Sequence, residues 1–400
     1  MKASAKFIFA TIFLDALGIG LLIPVFPDVI RRFSNDAEFV NAFFGYFIAV
    51  YAVMQFLASP VLGALSDRYG RRPVLLVSLL GAGVDYLLMA MAPNLTWLFI
   101  GRVISGLSGA SMTVASSYMA DVSTDQDRSA NFGLIGAGWG LGFIVGPALG
   151  GFLGHFGAAT PFIAAAVLSL FNFAFGYFVL PESLPPEQRR QVRMAHLNPF
   201  TSIVKVLWPS PLMFLVYIFF LLCLAGNSHP SIWTLYTQHR FQWTSAQVGL
   251  SLTSVGLSIA FVQGWLTAKV TPWLGVERTL RIGIGFYVVG FLLFAIAPFG
   301  WMMYPILVVF SLSGVAMPNL QAMISRDIPA NQQGELQGSL ISLASVAAIL
   351  APLLYTKLFS AFTLGPSRFY FPGMPYVMAS AICILSFALL FAPRLRSPKL

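Results

Sequence analysis

The chain has 400 residues, of which 58% are hydrophobic, 14% aromatic and only 9% charged, with a formal net charge of +9. Soluble domains carry about 25% charged residues, so this composition excludes a water-soluble protein and leaves no room for an appended soluble domain. A mean hydropathy of +0.80 over the whole length matches roughly twelve bilayer spans of about 20 residues each. Cys223 and Cys383 lie far apart in apolar runs, which supports neither a disulfide framework nor a thiolate metal site.

Charged and Pro/Gly-rich interruptions cut the chain into apolar segments near 7–29, 43–65, 74–92, 95–119, 132–154 and 161–180. A polar stretch over 181–210 follows. Six further segments lie near 212–235, 246–269, 280–298, 301–324, 335–359 and 374–393. Their lengths suit helices, and none shows the short alternation of outer-membrane strands. The expected fold is an all-α polytopic membrane protein with twelve transmembrane helices in two pseudo-symmetric six-helix halves, 1–180 and 211–400, joined by a cytoplasmic linker over 181–210. The first apolar run exceeds a signal-peptide core and continues through Pro24, so it is expected to stay as the first helix.

With both termini placed inside, seventeen of the 23 Lys and Arg residues fall on the cytoplasmic side and five on the other, with Arg102 left within a span. This is the asymmetry of the positive-inside rule. The positive charge therefore reports topology, and no contiguous basic face with interleaved aromatics suggests a nucleic-acid partner.

The halves read as a duplication. Gly133 and Pro147 are separated as Gly338 and Pro352 are, and Gly63 corresponds to Gly264. Repeated halves are one transporter architecture, with the substrate site near the midplane between them.

Ionisable groups inside spans are costly, at about 2.5 to 3.5 kcal/mol each near the helix centre. Asp15 lies roughly 13 Å into the first span and Asp85 roughly 17 Å into the third, both from the cytoplasmic end, while Arg102 lies roughly 10 Å into the fourth from the other side. Such a trio can exchange protons as access alternates, or it can be a static ion pair that holds helices together. The second half has no matching acid. It offers Asn227, Ser228, Gln263, Asn319 and Gln321, with Ser339, Ser342 and Ser345 at helical spacing. Pro318 is expected to open its helix around a cavity. Gln263, Asn319 and Gln321, with Gln55 in the second span, are candidate substrate contacts, against hydrogen bonding between helices as the alternative. The serines suit close packing, and His229, before Pro230, reads as a solvated helix-end histidine.

No phosphate-binding loop, metal-ligand cluster or nucleophile elbow occurs, so neither an ATP-driven pump, an enzyme, a cofactor nor a metal centre is expected.

Gly63-Ala64-Leu65-Ser66-Asp67-Arg68-Tyr69-Gly70-Arg71-Arg72-Pro73 resembles the loop signature between the second and third helices of the major facilitator superfamily. Three further patterns follow that family: Leu14, Asp15, Gly18, Gly20 and Pro24; Arg102, Gly106 and Gly109; and Gly142, Gly146, Pro147, Gly150 and Gly151, similar to the family's antiporter motif. Over nearly the whole chain the resemblance is to the twelve-helix tetracycline/proton antiporters, carried also by Asp85-Tyr86-Leu87-Leu88 and by Arg240-Phe241 with Trp243. The resemblance implies cation or proton handling by Asp15 and Asp85, and a functional role for Arg102. It also implies a cytoplasmic gate of Gly63, Asp67, Arg68, Gly70, Arg71 and Arg72, with Asp121 and Arg128 at the same mouth. The chain departs from these exporters at Ile259, where they carry a histidine, and in the run 284–289, which lacks their ninth-helix acid. Any proton carrier is thereby confined to the first half.

The expected function is proton-coupled efflux of a drug-like amphipathic compound by alternating access. The expected partners are a small-molecule substrate, protons and the lipid bilayer, with the protein a monomer in a bacterial inner membrane. The alternatives are export of an endogenous metabolite or siderophore with Arg102 holding an anion, and a receptor or scaffold that transports nothing.

Overall fold

The computed structural model describes residues 3–109, 111–124, 128–189, 213–326, 333–364 and 369–391. Most of the expected linker therefore lies outside the described residues. Among those described, the secondary structure is helical throughout, without strands. The helices are α1 (Ala3–Leu22), α2 (Ala37–Tyr69), α3 (Arg71–Ala90), α4 (Leu95–Val122), α5 (Arg128–Gly154), α6 (Thr160–Val179), α7 (Met213–Phe241), α8 (Ser245–Leu274), α9 (Val276–Ile296), α10 (Gly300–Ser325), α11 (Gln333–Thr363) and α12 (Met374–Leu389). From α2 to α11 these are ten helical runs long and apolar enough to cross a membrane. No more than half of the most apolar window in any of the ten is buried, and Val77, Phe171, Phe178 and Trp273 remain exposed. An apolar surface of that extent is what a bilayer covers.

The chain packs into two compact units. The first comprises 1–36, 50–199 and 244–253; the second comprises 37–49, 200–243 and 254–400.

Small residues organise the first unit. Along α5, Gly138, Gly142, Gly146 and Gly150 recur every fourth residue and so occupy one helix face. A Cβ on Gly142 would lie 2.6 Å from the Phe13 carbonyl, one on Gly146 would lie 2.8 Å from that of Leu17, and one on Gly150 would run into that of Leu21. Backbone thus meets backbone along α1, the close approach that small residues allow between membrane helices. Below this seam a core of Ile8, Ile12, Leu75, Val114, Tyr118 and Ile135 ties α1, α3, α4 and α5 together. The Tyr118 hydroxyl donates to the Pro181 carbonyl, 2.8 Å away.

The second unit is built on aromatics. Trp233, Tyr236, Phe291, Phe294 and Tyr376 are fully buried and meet edge to face, tilted or, for Phe291 and Tyr376, stacked across α7, α9 and α12. The Tyr236 hydroxyl donates to the Phe294 carbonyl at 2.6 Å.

The α2–α3 and α8–α9 connections each turn on one glycine with positive φ, Gly70 at 105° and Gly275 at 81°. This is a region that side chains with a Cβ rarely enter.

Candidate functional site

The intramembrane charges converge in the first unit. Asp85, on α3, is fully buried, and Arg102, on α4, is 8% exposed. Gly101 lets α4 lie against the acid: a Cβ there would sit 3.1 Å from Asp85 Oδ1 and 2.6 Å from Met89. Arg102 and the Ser105 hydroxyl are the groups that act on the Asp85 carboxyl. The Arg102 guanidinium also lies over the Tyr51 ring of α2, 4.2 Å from its centroid. Tyr51 and the buried Tyr86 both feel the charges of Asp15, Asp85 and Arg102, so the three sequence-picked ionisable groups belong to one cluster, with two tyrosines among them.

Gly106 brings α4 to α2, its missing Cβ leaving space beside Met54 and the Tyr51 carbonyl. Gly18 brings α1 to Tyr86, whose hydroxyl would be 3.0 Å from a Cβ at that position. Gln55 Nε2 donates to the Gly109 carbonyl at 2.9 Å and to the Tyr51 hydroxyl at 3.4 Å, which places this glutamine beside the charges. A small cavity of about 30 Å³ lined by Asp15, Tyr51, Ser78, Tyr86, Ser105 and Trp139 adjoins the cluster. It is large enough for one or two waters.

At the end of the same unit where α2 turns into α3, Arg71 donates from Nη1 to Asp67 Oδ1 and to Ser66 Oγ, each at 2.6 Å, and from Nε to Asp121 Oδ2 at 3.1 Å. Glu182, just past α6, accepts from the backbone N–H groups of Arg71, at 2.8 Å, and Arg72, at 3.3 Å. It thus satisfies donors that the start of α3 leaves free and places a negative charge at the positive end of the helix dipole. A Cβ on Gly70 would run into this carboxylate. Arg72 donates to the Tyr177 carbonyl at 2.6 Å, and Arg68 lies over the Tyr69 ring. Gly63 faces Thr113 with room for a Cβ. Arg128 opens α5, and its side chain lies outside the described residues.

The second unit holds a larger cavity of about 320 Å³, lined among others by Asn227, His229, Ile259, Gln263, Tyr287 and Phe310. Three helices lose their regular geometry at this place. α7 is interrupted at Asn227, between segments that end at Gly226 and restart at Ser228. α8 widens to a π-helix over Val262–Leu266, and α10 tightens to a 3-10 helix over Leu312–Val315. The last two meet, since a Cβ on Gly314 would be 3.4 Å from Val262 and 3.5 Å from Gln263. Irregular backbone at membrane depth persists where it is buried in protein or lines a cavity, and π-bulges favour functional sites.

Pro318 acts on α10 from a distance. It has no N–H for the carbonyl four residues back, so the helix tightens before it. On α10 the cavity is lined by Phe310, Ser313, Gly314 and Met317, all ahead of the proline. Asn319 is buried and donates to the Val315 carbonyl at 2.8 Å and to Thr271 Oγ1 at 3.2 Å, an interhelical bond. Asn319 and Gln321 are not among the cavity's lining residues, whereas Gln263 is. Ser342 and Ser345 bond the carbonyls four residues back on α11, while Ser339 is buried.

His229 departs from the solvated residue expected: it is 6% exposed, stacked on Trp233 at 4.4 Å and on Phe310 at 5.5 Å between ring centroids. Its place beside Pro230 at the α7 interruption suggested a helix end in water, and the interruption instead lies deep among aromatics. Tyr51 and Glu182 were not singled out from sequence. The signals present were the i, i+4 spacing of Tyr51 and Gln55, and an acid directly after Pro181 where α6 ends.

Helices of membrane length, buried opposite charges in one unit and irregular helices around a cavity in the other are the features of a multi-pass transport protein. The chain belongs to the Major Facilitator Superfamily, whose family model matches residues 8–352. It is 39% identical to the class C tetracycline resistance protein of Escherichia coli over 94% of each chain. It is 43% identical to the class G tetracycline resistance protein of Vibrio anguillarum over 90% of this chain and 91% of that one. Among solved structures it is similar to the human organic anion transporter MFSD10 (TETRAN), with 25% identity, a TM-score of 0.71, and 97% of this chain and 98% of that one covered.

Proposed function

We propose that the protein exports drug-like amphipathic compounds, tetracycline-type ring systems among them, in exchange for protons. It works by alternating access of two six-helix halves, as a monomer in a bacterial inner membrane with both termini cytoplasmic. The observation that carries this reading is the charge arithmetic of the first-unit cluster, in which Arg102 acts on Asp85 and Asp15, Asp85 and Arg102 all act on Tyr51. With both acids ionised the trio carries one negative charge, and binding a single proton makes it neutral. A cluster that changes charge by binding one proton is a carrier that a proton gradient can drive. Each charge moved through 100 mV supplies about 2.3 kcal/mol, and one pH unit adds about 1.4 kcal/mol.

The substrate is assigned to the uncharged cavity of the second unit, whose amides and aromatic rings suit an amphipathic ligand. The Asp67, Arg71 and Asp121 lattice acts as the cytoplasmic gate, because breaking it releases the α2–α3 turn from α4. The similarity to tetracycline resistance proteins at 39% and 43% identity supports the same direction of transport. Export of an anion held by Arg102 is disfavoured, since an added anion would share that guanidinium with the Asp85 carboxyl already beside it.

The test is proton release from purified protein in detergent on adding tetracycline, paired with tetracycline uptake into inverted vesicles. We expect release of about one proton per protein and uptake that stops when the proton gradient collapses. Uptake that survives an uncoupler would overturn the reading.

A further inference from the structure

Helix α8 carries two opposite faces around its π-helical turn. Val255, Ile259 and Gln263 line the cavity of the second unit, and Thr271 Oγ1 accepts from Asn319 of α10 at 3.2 Å. These residues, four or eight apart, mark the inward side. Residues two positions further on lie about 200° away at 3.6 residues per turn. There stand Phe261, 57% exposed, Trp265, 53% exposed, the exposed Lys269, and Trp273, 82% exposed, each four residues from the last. The π-helical turn over Val262–Leu266 winds more slowly than an α-helix and so keeps Phe261 in line with those that follow. The Phe261 ring stacks on that of Trp265, with centroids 5.1 Å apart. From Phe261 to Trp273 the stripe is roughly 18 Å long at 1.5 Å per residue, about the hydrocarbon depth of one leaflet with its interface.

The stripe ends in positive charge that the protein does not balance. Lys269 and, in the first turn of α9, Arg278 are exposed, and neither is ion-paired among the described residues. Glu277 is bonded to Arg281, which also lies over the Phe391 ring at 4.9 Å. The matching turn of the first unit is neutralised from within, by Asp67 and Asp121 on Arg71 and by Glu182 at the start of α3. A Cβ on Gly70 would meet that last carboxylate, whereas one on Gly275 would meet nothing within 4 Å. We propose that this outer face of α8, with the α8–α9 turn, binds one anionic phospholipid. Its acyl chain lies on the Phe261 and Trp265 rings, its headgroup is held by Lys269 and Arg278, and Trp273 sits at the level of the glycerol esters. A lysine stem runs along apolar surface and carries its ammonium to the headgroups, and tryptophan favours that same level. The rings accept the chain of any lipid; the two cations select the charge. A second copy of this chain meeting the same face would set these cations against their own kind, so charge complementarity favours the lipid. The inference goes beyond drug export and does not depend on it.

The experiment is native mass spectrometry of the purified full chain in detergent, titrated with phosphatidylglycerol and with phosphatidylcholine of the same acyl chains. The wild type is expected to bind one phosphatidylglycerol about fivefold or more tightly than phosphatidylcholine. Lys269→Gln is expected to weaken phosphatidylglycerol about fivefold while leaving phosphatidylcholine within about twofold, and adding Arg278→Gln is expected to abolish the preference. Trp265→Ala combined with Trp273→Ala is expected to weaken both lipids alike, because it removes the apolar surface and keeps the charge. Lys357→Gln, the same change of charge at an exposed site on α11, is expected to match the wild type. All these side chains are exposed, so the variants are expected to melt close to the wild type without lipid. Equal affinity of the wild type for the two lipids, phosphatidylglycerol binding unmoved by Lys269→Gln, or an equal loss in Lys357→Gln overturns the proposal. Dimers that form without lipid and vanish in Trp265→Ala would assign the face to a second copy of the chain and overturn it as well.

Discussion

The guanidinium of Arg102 rests on the face of Tyr51, 4.2 Å from the ring centroid, and this contact joins α4 to α2 across the buried charge cluster. A desolvated cation over an aromatic ring gains about 2 kcal/mol. Tyr51→Phe keeps the ring face and loses the hydroxyl that accepts from Gln55, so proton-coupled uptake in vesicles is expected within about threefold of wild type. Tyr51→Leu removes the face and is expected to lower uptake about tenfold or more, in line with about 1.4 kcal/mol per decade. Equal rates for the two variants would show that the ring has no part in holding Arg102.

The charge balance of the cluster predicts stability as well as coupling. Asp85→Asn or Asp15→Asn alone leaves one acid against Arg102, and substrate-triggered proton release is expected to vanish in at least one of the two while tetracycline binding survives. Removing both acids strands a buried guanidinium, a loss of about 3 to 5 kcal/mol. The double variant is therefore expected to unfold at markedly lower temperature in detergent, and adding Arg102→Gln is expected to recover most of the difference. A triple variant no more stable than the double would show that the acids do not balance that charge.

Beside the α2–α3 turn, Arg71 is bonded to Asp67 and Asp121. A double-mutant cycle with Arg71→Gln and Asp121→Asn is expected to give a coupling energy of about 1 to 3 kcal/mol in thermal or denaturant stability. Glu182→Gln, which keeps one acceptor oxygen but loses the second acceptor and the charge at the start of α3, is expected to cost about 1 kcal/mol or more. Additive single effects in the cycle would reduce the Arg71–Asp121 pair to a topological anchor.

The α1–α5 seam makes a prediction that residue type alone cannot. A Cβ at Gly150 would run into the Leu21 carbonyl, whereas Gly140, on the same helix, has nothing within 4 Å of such a position. Gly150→Ala is expected to cost about 1 to 3 kcal/mol as an overpacked contact and to depress the yield of folded protein. Gly140→Ala is expected to match wild type in size-exclusion profile and melting temperature. Indistinguishable variants would mean that α1 and α5 do not meet as closely as described.

Span positions, the first-half charges and the family were legible in the residues themselves, because burial in a bilayer is a local demand on composition: each helix satisfies its own backbone and need be apolar only along its own length. That Asp15, Asp85 and Arg102 lie within helices followed from counting along the chain. Which neighbours they meet did not. Tyr51 became part of the cluster because Gly106 lets α2 and α4 approach. Glu182 became the anion at the start of α3 because the chain after α6 passes Gly70. The drug-sized cavity depended on irregular turns in α7, α8 and α10 falling at one level, and His229 lines that cavity only because the α7 interruption is packed among aromatics from α9 and α10. Hydropathy is read one helix at a time; these juxtapositions depend on how rotation and offset between helices are set by side chains far apart in the chain, and packing alone sets them.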